Sequence, residues 1–193
     1  MSVANPNARH APMLGYATLT PTYLARTLNR EALRQHWPEI RRVVERGQAS
    51  SLYCSIATVG EDGTPTVTPI GTVFLGANPG GFFFDRYTSD LGNNINANGK
   101  ICLLAVNSSK LFWLRSFLLG RFTSPPGVRL YGTAGPLRAA TASELSQIER
   151  RVRSSKWLKG NQLIWSSFTQ VRDLEFTSFR PVSYPAMMER LWQ

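Results

Sequence analysis

Apolar and polar positions change period along this chain. Between residues 22 and 48, Leu24, Leu28, Trp37, Ile40, Val43 and Val44 fall at helical spacings among Arg and Glu. That pattern predicts helix. Pro38 suits the first turn of a second helix, which predicts a break near His36 and Trp37. Gly47 predicts the stop. Ahead of this segment, residues 1–20 are rich in Asn, Pro and Ala and read as a flexible N-terminal arm. Residues 21–193 then form one domain that starts with a helical segment.

From 51 onward the period falls towards two, and turn signals come at close intervals. Residues 51–59 predict a strand, and Gly60-Glu61-Asp62-Gly63 its turn. Residues 66–75 predict a second strand, broken by Asn78-Pro79-Gly80. Phe82, Phe83 and Phe84 make a third, residues 85–94 a polar loop, and the fully apolar run 101–106 a fourth. Residues 127–134 and the clean alternation at 173–180 predict two more. Between those two, Thr141-Ala142-Ser143-Glu144 is a capping box, and Leu145, Ile148 and Val152 stripe the helix it opens. Arg150, Arg151 and Arg153 sit near that helix's C-terminal end, where cations are favoured. Pro181 and Pro185 end regular structure. Helices do not alternate with strands, which argues against a doubly wound parallel sheet. The fold class is mainly β, an antiparallel barrel or sandwich with flanking helices.

Composition narrows the function classes. The chain has 193 residues, 42% of them apolar, enough for one well-buried core. Its formal net charge of +10 comes mostly from Arg, whose fork suits carboxylate and phosphate. The cations are spread out, so a nucleic-acid partner is not indicated and most of them read as solvated surface. Cys54 and Cys102 lie inside apolar strand patterns and read as inert thiols. With His10 and His36 in unrelated contexts, a metal site is not expected. The N-terminus does not read as a secretory signal, and Lys110 and Arg115 interrupt the most apolar stretch. No membrane partner and a cytoplasmic location are therefore expected. Residues 107–126 hold Phe112, Trp113, Phe117 and Phe122, a density that suits a ligand cover or a subunit interface.

Candidate catalysis by side chains is thin. There is no Gly-x-Ser-x-Gly elbow, no paired-carboxylate geometry and no phosphate-binding Gly fingerprint. Glu61 and Asp62 are better explained by turn chemistry. What remains is a binding architecture.

Three segments carry a family resemblance: DGTPTVTPI at 62–70, GFFFDRYTS at 81–89 and NINANGKICLL at 94–104. Together with VRLYGTA at 128–134 and the helix that follows, they resemble the pyridoxamine 5′-phosphate oxidase-like split-barrel flavoproteins, over roughly residues 35–185. The resemblance implies a six-stranded antiparallel split β-barrel with flanking helices. It implies a homodimer with flavin mononucleotide (FMN) in a groove between subunits and a small-molecule substrate. Carried over, Val67, Thr68, Pro69 and Ile70 would line the flavin ring edge, and Phe84 and Asp85 the strand end beside it. Arg86, Tyr87, Thr88 and Ser89 would form the phosphate loop; in this chain Arg86 or Arg129 could add charge, and Thr88, Ser89, Asn93 and Asn94 neutral hydrogen bonds, to hold the phosphate. A flavin brings its own redox chemistry, so an enzyme of this kind needs no conspicuous catalytic side chain.

The chain departs from the family pattern at one place. A basic pair is expected directly after the loop serine, and Asp90 and Leu91 stand there. Losing two charge-assisted contacts costs about 1.5–3 kcal/mol each. The same residues also read as a helix entry, with Ser89 as cap and Asp90 favoured by the helix dipole. Two functions follow: a flavin-dependent oxidoreductase, or a non-enzymatic barrel holding flavin, haem, a deazaflavin or another planar anion. A cofactor-free dimeric barrel is the third reading. Trp157 and Trp165 are surface-packing residues or the lining of a substrate pocket, and Arg180 is a strand-end ion pair or an anion ligand across a dimer.

Overall fold

The computed structural model describes residues 30–86, 89–152, 168–188 and 191–192. The expected arm, Tyr87, Thr88, Trp157 and Trp165 lie outside the described residues. In chain order the elements are α1 (Arg30–Ser51), β1 (Cys54–Val59), β2 (Pro65–Ile70), β3 (Val73–Leu75), β4 (Gly80–Phe84), α2 (Ser89–Asn98) and β5 (Lys100–Val106). Then follow α3 (Lys110–Leu119), β6 (Gly127–Ala139), α4 (Ala142–Val152), β7 (Gln170–Pro181) and a short 3₁₀ turn.

All strand pairings are antiparallel, in the order β2-β1-β5-β6-β7-β4-β3. The two edge strands are consecutive in sequence. Only Gly71 and Thr72 separate Ile70 from Val73. Three Cα steps span at most about 11 Å, so the two edges of the sheet must meet there. The sheet therefore curls onto itself as a barrel without a full ladder across the seam. The single strand expected over 66–75 is two strands, seven rather than six in all. The break is held open from three sides: Gln48 Nε2 and Arg151 Nη1 donate to the Gly71 carbonyl at 2.9 and 3.2 Å, and Thr72 Oγ1 donates to the Phe84 carbonyl at 3.1 Å.

Helix α1 differs from its expected form. It runs unbroken through Pro38 and past Gly47. Leu33, Trp37, Ile40, Val43 and Val44 form one stripe buried against Ile56, Leu103, Leu130 and Phe179 on the inner face of the sheet. Burying each such side chain stabilises by about 1.5–3 kcal/mol, enough to offset the ~3 kcal/mol cost of an interior proline. Gly47 is a packing residue. A Cβ there would sit 3.1 Å from the Val106 nitrogen and 3.2 Å from the Ala105 Cβ, so glycine lets the helix approach β5.

A second, smaller core lies on the other side of the sheet. Ile148 and Val152 of α4 pack on Phe74, Phe84 and Val171 of β3, β4 and β7. The capping box forms as read: Thr141 N–H donates to Glu144 Oε2 at 2.8 Å, and Glu144 N–H to Thr141 Oγ1 at 3.4 Å. Arg138 joins the two elements by donating to both Glu144 and Asp173. Helix α4 thus covers the outside of one half of the sheet. No described element covers the outside of the other half, β2-β1-β5-β6.

Candidate functional site: the uncovered face of the sheet

Strand register decides which side chains share this uncovered face. Pro69 opposes Ser55, which opposes Leu104, then Arg129, then Arg180. The adjacent row is Val67, Ala57, Cys102, Tyr131 and Ser178. Four strand spacings make each row about 19 Å wide along the curved sheet. The inward partners are Ile56, Leu103 and Leu130, all wholly buried. Outward residues are half-buried or exposed, with Val67 67% exposed. The middle of the face is apolar, and one flank carries two guanidiniums and a phenol. Arg180 stands over the Tyr131 ring at 5.8 Å, within cation–π range.

Cys102 sits at the centre of this face. Partial burial pushes its thiol up, against the opposing pull of Arg129 and of a hydrogen bond with Tyr131. It stays a thiol at neutral pH and is no nucleophile. Cys54 faces the core, where burial raises it to about 12.

The expected site residues divide into two groups. Val67, Pro69 and Arg129 share the uncovered face, while Thr68 and Ile70 alternate inward. As a sheet edge, β2 also keeps main-chain groups directed away from β1 and available to a ligand. The second group lies at β4 and α2. Phe84 is packed in the smaller core. The Asp85 carboxylate accepts from the Arg172 Nε at 2.5 Å, and Arg172 Nη1 donates to Asn96 Oδ1 and the Gly135 carbonyl at 2.9 and 3.2 Å. That arginine is only 3% exposed. Asn94 Nδ2 donates to both Thr58 Oγ1 and Thr66 Oγ1 at 3.0 Å, pinning α2 to the β1–β2 hairpin. These polar groups serve contacts within the chain. Arg86 holds its guanidinium 6.0 Å from the Phe168 ring centroid.

The loop after Asp85 enters a helix. Ser89 is the first residue of α2, and Asp90 lies exposed in its first turn. Leu91 points into the main core, 1% exposed. A core anchor therefore stands where the family pattern has a cation. Asn93 is exposed and lines a cleft of about 640 Å³ with Gly60, Glu61, Asp62 and Asn94. The hydrogen bonds of Thr64 to the Asp62 carboxylate hold it below the usual carboxylate range. This cleft is acidic, and an anion is repelled from it.

Sequence reasoning missed Leu104, Cys102 and Tyr131 as face residues, and the buried Arg172. One signal was present. A strand as apolar as the run 101–106 needs cover on both faces, yet among the described elements only its inner side is covered.

Against family models, residues 37–175 match the model described as pyridoxamine 5′-phosphate oxidase. Among solved structures, an FMN-binding protein from Syntrophomonas wolfei subsp. wolfei superposes with a TM-score of 0.52 at 14% identity, covering 80% of this chain and 97% of that one. A conserved hypothetical protein from Mycobacterium tuberculosis superposes with a TM-score of 0.50 at 15% identity, covering 77% and 85%. At these identities the likeness is one of fold. No curated protein matches the chain. The family model spans well over half of the sequence and coincides with the curled sheet and its helices, so the chain belongs to the pyridoxamine 5′-phosphate oxidase family, with its split-barrel fold.

Proposed function

We propose that this protein binds FMN on the uncovered face and uses it as an oxidoreductase on a small organic substrate. The observation that carries the reading is the pair of register rows: an apolar shelf next to an open strand edge, flanked by Arg129, Arg180 and Tyr131. The chemistry of this face fits a planar, anionic ligand. Apolar Val67, Ala57, Cys102 and Leu104 suit the ring, and the main chain of β2 suits its polar edge. In this reading Arg129 neutralises the phosphate, with Arg180 beside it in the register row, and Arg86 is the alternative cation from the loop. When bound, a flavin supplies the hydride or electron transfer that no side chain here provides. The chain's own work is to hold the ring, balance the charge and keep water from one side.

The face is a shelf, not a pocket. Small-molecule sites bury most of their ligand, so a second surface is required. A two-fold copy laid on the same face supplies it and buries the half-exposed apolar row, which is the homodimer expected from the resemblance.

Visible absorbance of the purified protein, followed by titration with FMN, tests the reading. Bands near ~450 nm, or saturable binding of added FMN, support it. A colourless protein that leaves FMN unbound rejects it. A Soret band in place of flavin bands moves the assignment to a haem-holding barrel.

A further inference from the structure

Helix α3 presents a surface that the flavin reading does not use. Its inner side is ordinary: Phe112 and Trp113 pack against Phe122, Trp113 also meets Tyr184, and Ser116 is buried. Its outer half consists of Lys110, Leu111, Leu114, Arg115, Phe117, Leu118 and Leu119. Every exposed residue of the helix is thus apolar or cationic. Leu111 is 74% exposed, Phe117 62% and Leu118 79%. The helix is well made, with Ser109 capping its start and Gly120, at φ 62°, its end. A formed helix with this surface has water on the wrong side of its leucines.

A neighbouring feature extends the patch. The Ser108 N–H donates to Ser50 Oγ at 2.8 Å, which sets the end of α1 beside the start of α3. Two residues beyond Ser50, Leu52 takes a left-handed φ of 71° and is 79% exposed. A leucine that is both backbone-strained and solvated is uncommon, and such outliers gather at functional surfaces.

Charge selects the occupant. The exposed cations of α3 are Lys110 and Arg115, with Arg121 just past its Gly120 cap, and the sequence has no Asp or Glu from Leu91 to Ser143. Across a two-fold axis this patch would set cations against cations, which disfavours a second copy. Nucleic acid offers phosphates but no bed for five apolar side chains. A bilayer with anionic headgroups offers both layers. Exposed leucine and phenylalanine side chains reach the acyl boundary there, and the Lys and Arg among them meet the headgroups. No described helix is long and apolar enough to cross a membrane, and α3, with 10 residues, is far too short to span one, so the contact it makes is with the surface.

We infer that α3, with Leu52, docks this protein on anionic lipid bilayers. This places a membrane surface where the sequence predicted no membrane partner, because the sequence argument addressed spanning segments alone. The test is co-sedimentation of the full-length protein with vesicles of equal parts phosphatidylglycerol and phosphatidylcholine, against pure phosphatidylcholine. Expected are binding at least roughly tenfold tighter to the anionic vesicles, and weakening by added salt. The double variant L111S/L118S and the charge reversal Arg115→Glu should each lose roughly tenfold or more, with unchanged melting temperature because all three sites are exposed. Equal binding to both vesicle types, no binding to either, or full binding by L111S/L118S overturns the inference. So does light scattering in which L111S/L118S breaks a wild-type oligomer, because the occupant would then be a second copy.

Discussion

The two halves of the sheet's outer surface are built from similar strands and finished differently. On β3, β4 and β7, helix α4 lays Ile148 and Val152 over Phe74, Phe84 and Val171. Charges there are matched: Arg138 lies between Glu144 and Asp173, and on the inner side of the same half Arg172, opposite Phe83, lies beside Asp85. On β2, β1, β5 and β6 no described element lies over Ala57, Cys102 and Leu104, and the guanidiniums of Arg129 and Arg180 stand at the flank. The first half uses its arginines to hold the fold. The second has Arg129 exposed at the edge of an apolar shelf. An arginine therefore reads as structural or ligand-directed only once its facing groups are known.

The comparison breaks most visibly at Asp85. Asp85→Ala leaves the Arg172 guanidinium buried without its carboxylate and should cost about 3–5 kcal/mol, read by urea unfolding. Arg129→Ala on the open half should change stability by less than about 0.5 kcal/mol. Equal losses at the two sites would erase the distinction. Next in size is Leu104→Arg. It puts a charge in the middle of the shelf, and should weaken a dimer formed there on the order of a hundredfold while leaving the monomer folded. Sedimentation of wild type and variant reads this, and an unchanged dimer would place the interface elsewhere. Third, Arg129→Ala should weaken FMN about 10- to 100-fold, the loss of one charge-assisted contact. Arg86→Ala, measured beside it, decides whether the loop or the sheet face neutralises the phosphate.

The sequence made the covered half easier to read than the open one. Phe82 to Phe84, the alternation at 173–180 and the Thr141 capping box each carry a local signal, and each forms. Pro38 and Gly47 gave local signals that tertiary packing overrode, since the stripe around Trp37 gains more from the core than the helix loses. Gly71 and Thr72 lie inside a run that alternates well enough to pass for one strand. The carbonyl acceptors that bend it meet Gln48 and Arg151, which are distant in sequence. For the same reason Arg172 could not be told from a surface arginine, because its partners come from the residue after β4, from α2 and from β6. The open face was half-legible: Val67, Pro69 and Arg129 were singled out through the family pattern. Tyr131 and Leu104 become neighbours only when the register of β5 against β6 is known.

The smallest effect separates the matched charges of the covered half from any at its rim. The hydrogen bonds of Arg138, ahead of those from Thr141, hold the Glu144 carboxyl at about 2, below its ordinary 4.5. A carboxyl depressed in the folded state stabilises the fold above its unfolded value and loses that contribution as pH falls through the folded one. Wild type should therefore lose stability between about pH 4.5 and pH 2. Solvent reaches the Arg138 side of the cluster, where that side chain is 35% exposed, and screening holds the contribution to about 1 kcal/mol. Glu144→Gln should remove about that much at neutral pH and flatten this stretch of the acid limb, read by thermal melts across the range. A glutamine amide can still cap α4 by accepting from the Thr141 N–H, so the helix stays and only the charge is lost. If the acid limb of Glu144→Gln follows wild type, the pH dependence belongs to other carboxylates, and the Arg138 cluster holds α4 by geometry alone.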